Sequence, residues 1–187
     1  AWAGVEFHPR VLRDVSAADT AATLLDRPAT MPLVLAPTGF TRMLHHQGET
    51  AVARAAERAG VPYCLSSMGT TSIEDVAAAA PRGRNWFQLY LSDRTLAEGL
   101  MDRVAAAGFT ALVVTADMPV YGSSPRAARE PLRPSDDIRN VNLPGAPIAR
   151  NAYDQTFSGS VTYPVSEKDL EWLVRRSPLD VIVKGVL

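Results

Sequence analysis

The chain has 187 residues, 47% of them hydrophobic and 21% charged. It can therefore bury an ordinary core, and wholesale disorder is excluded. Lys and Arg number 19 against 20 Asp and Glu, for a net charge of -1. No global basic field favours nucleic acid or an anionic membrane. A single cysteine excludes an intrachain disulfide, and no apolar run approaches the ~20 residues of a membrane span. The first residues lack the basic and apolar regions of a secretory signal. The expected setting is cytoplasmic, with peripheral membrane association left open. A complete (β/α)₈ barrel typically needs about 250 residues, more than are present.

In chain order, short apolar runs alternate with Ala-rich amphipathic stretches. Strands are expected at Leu33–Ala36, Tyr63–Ser66, Trp86–Tyr90, Ala111–Thr115 and Val181–Lys184. A helix is expected over Glu49–Gly60, ended by the glycine. Ser72–Ala80 is the next, with Ser72 and Asp75 approximating a capping box and Pro81 as the stop. Asp93–Ala107 follows, with Asp93 as N-cap and Gly108 as terminator. Ser166–Arg176 is the last, led by Ser166 with Asp169 three later. Strand starts lie roughly 25–30 residues apart, one βα unit. Strict alternation predicts a parallel sheet with helices outside.

From 117 to 165 the pattern breaks into a long stretch rich in Pro, Gly, Ser, Arg and Asn. It reads either as a surface excursion or as a lid over a site. Arg126, Arg129, Arg133 and Arg139 lie in it. They suit two-pronged recognition of a carboxylate, or are simply solvated.

The strand ends carry the unusual residues. Alternation puts Gln88 and Tyr90 on one face of their strand, with Phe87 and Leu89 on the other. A buried Gln88 needs partners, either core groups or a bound heterocycle. Lys184 shares a face with Ile182, so its ammonium either emerges at the strand end or meets an anion there. Candidate anions are a phosphate, a carboxylate or an electron-rich cofactor edge; a carbonyl for Schiff-base chemistry is the other candidate. Thr115 and Asp117 end the fourth strand, Ser66 and Ser67 the second, and Ala36-Pro37-Thr38-Gly39 the first. These groups converge on the C-terminal edge of one sheet, where α/β folds bind ligands. Cys64 reads as core, adjacent His45 and His46 as solvated loop residues, and Arg82 and Arg84 as a solvated turn. No metal site, nucleophile elbow, Walker A loop or dinucleotide fingerprint is present.

Taken together, the set resembles the FMN-dependent 2-hydroxy acid oxidase/dehydrogenase family, which includes glycolate oxidase and lactate and mandelate dehydrogenases. The matching stretches, in family order, are Arg10–Ser16, Leu35–Gly39, Gly48-Glu49, Leu65–Ser67, Thr71–Val76, Trp86–Tyr90, Val114–Asp117 and Val183–Gly185. The resemblance implies a (β/α)₈ TIM barrel holding FMN at its C-terminal mouth, in a homo-oligomer, a tetramer in the family. The expectation for residues 1–187 is the N-terminal part of that single domain, about the first five βα units, with the long loop at about 117–165. By position, Ala36, Pro37 and Thr38 correspond to contacts beside the isoalloxazine ring, and Ser66, Gln88 and Thr115 to its polar partners. Lys184 corresponds to the lysine at the flavin N1/O2 edge and Tyr90 to the substrate-binding tyrosine. Asp117 corresponds to the aspartate that orients the catalytic histidine.

The implied reaction is oxidation of an L-2-hydroxy acid to the 2-oxo acid. Two departures stand out. The family's Gly-x-Arg-Glu is replaced by Gly122 to Glu130, making Arg129 the first candidate for the substrate arginine and Arg126 the second. The family's catalytic histidine, carboxylate-binding arginine and phosphate-binding segments come later in its sequence, so the chain as given is expected to lack turnover. The rival expectations are a non-catalytic half-barrel needing a partner chain, and a different flavin or phosphate barrel.

Overall fold

The computed structural model describes residues 4–118, 129, 135, 137–143 and 165–186. Its principal sheet has four parallel strands: β3 (Tyr63–Ser66), β4 (Asn85–Leu89), β5 (Ala111–Thr115) and β6 (Asp180–Lys184). They lie side by side in chain order. A doubly wound sheet reverses its order partway; this one does not, so each unit extends the same wall, as in a barrel. Before them stands a small antiparallel hairpin, β1 (Ala22–Leu24) and β2 (Arg27–Ala29).

Among the described residues, the α-helices with defined bounds are α1 (Gly48–Ala59), α2 (Ile73–Ala79), α3 (Arg94–Ala106) and α4 (Glu167–Arg176). Their ends obey local chemistry. Gly60 closes α1 in the left-handed conformation at φ 67°. Ser72 and Asp93 each accept a main-chain N–H of the following turn, from Asp75 at 3.0 Å and Leu96 at 2.8 Å. Ser166 and Asp169 form a full capping box on α4.

Strand alternation divides the interior in two. Tyr63, Leu65, Phe87, Leu89, Leu112 and Val114 pack with α1, α2, α3 and Leu173 of α4 in the larger core. Cys64, Trp86, Ala111 and Val113, with Val34 and Ile182 against them, form a second cluster on the opposite face. The helices therefore cover one side, and the other is the inside of the wall.

The structure corrects the sequence reading at four points. Leu33–Ala36 is not a strand. It makes one parallel bridge, Leu35 to Tyr63, through Leu35 N–H to Pro62 O at 2.9 Å and Cys64 N–H to Leu35 O at 3.0 Å. Pro37 on one side and Pro62 on the other lack the N–H groups a longer ladder needs. The strand expected at Trp86–Tyr90 begins and ends one residue earlier. The β1–β2 hairpin was unforeseen, because its turn residues Leu25 and Asp26 both hold positive φ without the usual Asn-Gly signature. Arg84 is not merely solvated. Its guanidinium donates to the carbonyls of Leu24, Arg27 and Pro28, clamping the hairpin near the N-terminal end of β4.

Among the described residues, no helix is long and apolar enough to cross a membrane. Arg126 and Arg133, and most of the stretch from 119 to 164, lie outside the described residues.

Candidate functional site

Parallel strands leave their last residues at one end of the wall, and inward-facing positions there meet across neighbouring strands. Register sets the pairs: Ser66 lies beside Gln88, and Thr115 beside Lys184. Gln88 is 1% exposed and is the centre of the array. Its Oε1 accepts from Ser66 Oγ at 3.1 Å, Ser67 N–H at 3.3 Å and Ser67 Oγ at 3.4 Å. Its Nε2 donates to Thr115 Oγ1 at 3.1 Å. Ser66 Oγ in turn accepts from Met68 N–H at 3.1 Å. The buried amide is thus held by protein groups from the end of β3, the residue after it, and β5, and its orientation is fixed by them.

Lys184 emerges at the mouth, where Nζ lies 3.2 Å from Asp117 Oδ1. The two side chains are 43% and 46% exposed. Ile182, two residues earlier, packs inside, so the lysine both leaves the core and meets an anion, here one of the protein's own. Its charge reaches inward. Burial pushes the Cys64 thiol well above its ordinary range, and Lys184 partly offsets the rise.

An open hollow of about 230 Å³ lies over these groups, lined by Pro37, Gly39, Phe40, Ser66, Met68, Gln88, Tyr90, Thr115 and Lys184. Tyr90 is half-buried on its rim. Ala36 and Thr38 are exposed beside Pro37, and the Thr38 carbonyl accepts from Thr41 Oγ1 at 3.2 Å. Asp117 reaches the hollow through Lys184. Arg129 and Arg139 are exposed and stand outside its lining. His45 and His46 are exposed, with ring centroids 4.5 Å apart.

Sequence reasoning missed Phe40 and Met68. They belong to the loops just after Pro37 and β3, and those positions were the available signal. Phe40 N–H donates to Met68 O at 3.0 Å, joining the two loops. In the segment 137–143 it singled out Arg139, which is exposed, and did not foresee how the segment is anchored. Arg42 grips Asp137 there, Nη2 to Oδ2 at 2.6 Å and Nη1 to the Asp137 carbonyl at 3.0 Å. Fully buried Asn142 accepts from Ile73 N–H at 3.1 Å and donates to Thr71 O at 3.0 Å. The segment is thereby bound to the loop after β3 and the start of α2.

The sequence that builds this wall matches a known family along its whole length. A family model described as FMN-dependent dehydrogenase matches residues 1–187. The chain belongs to the FMN-dependent dehydrogenase family.

A Mycobacterium tuberculosis (strain ATCC 25618 / H37Rv) protein, provisionally named an L-lactate dehydrogenase, is 38% identical over 208 residues; the match covers 97% of this chain and 49% of that protein. Human 2-hydroxyacid oxidase 2 is 37% identical, covering 100% of this chain and 53% of its own. Among solved structures, a mandelate oxidase with (S)-4-hydroxymandelic acid superposes with a TM-score of 0.84 at 32% identity, covering 96% of this chain and 52% of that one. A mutant of an active chimera of (S)-mandelate dehydrogenase superposes with a TM-score of 0.85, also at 32% identity, covering 97% of this chain and 53% of that one. The fold is therefore α/β, an arc of the TIM barrel of this flavoenzyme family. The chain spans about half the length of the curated relatives it matches.

Proposed function

We propose that the hollow is the FMN site of an L-2-hydroxy acid oxidoreductase, and that this chain supplies its flavin-facing wall. The observation that carries the reading is the row Ser66–Gln88–Thr115, fixed across three adjacent strands and ending at Lys184. Its chemistry suits the group. Hydroxyls and a primary amide both donate and accept, as the alternating carbonyl and N–H edge of a flavin requires. A cation next to them suits an edge that gains negative charge on reduction. FMN, when bound, supplies the two-electron acceptor for the hydrogen at C2 of the substrate.

The chain's own residues hold and orient. Ser66, Gln88 and Thr115 would hold the heterocycle's polar edge, with Ala36, Pro37 and Thr38 beside the ring. Lys184 would place positive charge at the N1/O2 edge. Tyr90, on the rim, would hydrogen-bond the substrate, and Arg129 would approach its carboxylate. Asp117 would orient and charge a proton-accepting histidine in the family scheme; here it is engaged by Lys184. That histidine and the carboxylate clamp belong to parts of the family pattern this chain does not span. Small 2-hydroxy acids of the lactate, glycolate or mandelate type are the proposed substrates, and a homo-oligomer is the proposed assembly.

Flavin titration tests the reading. The chain should take up FMN and acquire an absorbance band near ~450 nm. Expressed with whatever flanks its gene provides, it should bleach anaerobically with L-lactate, glycolate or L-mandelate. A protein that takes up no flavin in either form overturns the proposal.

A further inference from the structure

Glu49, in the first turn of α1, has no exposed surface. Its partners come from two separate loops. Thr41 N–H donates to Oε1 at 3.3 Å from the loop after Pro37. Thr70 N–H donates to the same oxygen at 2.8 Å from the loop after β3. Thr70 Oγ1 lies 2.9 Å from both carboxyl oxygens, and Thr71 Oγ1 donates to Oε2 at 2.7 Å. A main-chain N–H can only donate, so Oε1 is an acceptor for two segments that have no ladder between them.

Those two loops are the ones that wall the hollow, through Gly39 and Phe40 on one and Met68 on the other. The Phe40–Met68 bond ties them together, and Glu49 ties each to α1. Gly48 permits the approach: it holds φ +49°, and a Cβ there would run into Arg42 Cγ. Burial, then the charge of Glu49, pushes the neighbouring Tyr63 phenol upward. The position of Glu49 beneath the wall, outside the lining itself, separates it from the residues assigned above to the flavin.

We infer that Glu49 is a positioning residue for the cofactor site, its carboxyl group being the common acceptor on which the loops 38–43 and 67–71 are assembled. The inference rests on the hollow being the flavin site, but loop assembly can be read without flavin. The test compares E49M and E49Q in the full chain. Methionine has similar length and no strong acceptor. Glutamine keeps one oxygen for the two main-chain donors and offers its NH₂ to threonine hydroxyls, which can accept.

Amide hydrogen exchange at Thr41 and Thr70 should accelerate by about 10-fold or more in E49M and stay within about 3-fold of wild type in E49Q, with Leu65 and Leu112 unchanged. FMN affinity should follow the same order, about 10-fold weaker in E49M and nearly intact in E49Q. Unchanged exchange at Thr41 and Thr70 in E49M overturns the inference. So does altered exchange with unaltered FMN affinity. If wild type takes up no FMN, the proposed function fails, and the exchange experiment alone decides whether Glu49 assembles the loops. If E49M lacks a native circular dichroism spectrum, T71V serves instead. It should raise exchange at Thr70 and weaken FMN by about 3-fold, and no change in either overturns the inference.

Discussion

Lys184 and Asp117, 67 residues apart in sequence, meet end to end at the mouth of the wall, Nζ to Oδ1 at 3.2 Å. Both are nearly half exposed, so water screens the pair and its contribution to folding is small. K184M and D117N should each change unfolding free energy by no more than ~1 kcal/mol in denaturant titrations. Their effects on flavin should diverge. K184M removes the cation offered to the proposed FMN edge and should weaken FMN by about 10-fold. D117N frees the ammonium from its internal partner and should not weaken it. Equal losses in both variants would count against the assignment of Lys184.

The contact depends on Gly185. It sits at φ +97°, and a Cβ there would run into Asp117 Cβ and Cγ. G185A should therefore cost ~1–3 kcal/mol, from positive φ alone, before the displacement of Asp117 is counted. Thermal unfolding measures the loss. A melting temperature equal to wild type would show that the loop at Asp117 shifts freely.

Gln88 serves Ser66, Ser67 and Thr115 at once, whereas the Thr115 hydroxyl serves Gln88 Nε2. Q88L should destabilise by ~2 kcal/mol or more and T115V by ~1 kcal/mol, since each stranded buried group costs on that scale. Chemical denaturation of both variants checks the order; T115V as costly as Q88L would mean that the row is not organised around the glutamine.

Asp169 makes stability depend on acid. Its carboxylate is held by Ser166 Oγ at 2.6 Å and by Arg94 at 2.9 Å, which push its pKa down to about 2. The folded value lies below the ordinary 3.8, so the stabilisation is complete above about pH 4 and is lost as pH falls toward 2. D169N should lose ~1 kcal/mol near neutrality through the cap and show a flatter stability profile between about pH 4 and 2. Urea melts across that range test it; parallel profiles for wild type and D169N would refute it.

The helices were legible because their signals are local. Gly60, Ser72, Asp93 and Ser166 act on groups within three or four residues, so the chain's own order reveals them. The inward face of Gln88, Thr115 and Lys184 was legible for the same reason, since strand alternation needs only neighbours. The strand expected at Leu33–Ala36 failed because its ladder depended on Pro62, which has no N–H, across a separation that composition does not show.

What the sequence by itself determined is thus the βα alternation, most helix ends and which strand residues share a face. Tertiary structure alone decided where those faces met. Gly48-Glu49 stands out in the sequence only as one of the stretches that carry the resemblance, yet Glu49 is fully buried by partners 8, 21 and 22 residues away. Arg84 reads as a solvated turn residue, yet it holds carbonyls 56 to 60 residues away. Asn142 and Thr71 join across 71 residues. A charged or amide side chain carries no local mark of the donors that will surround it. Its burial becomes favourable only when strand register and loop packing bring those donors within hydrogen-bond reach.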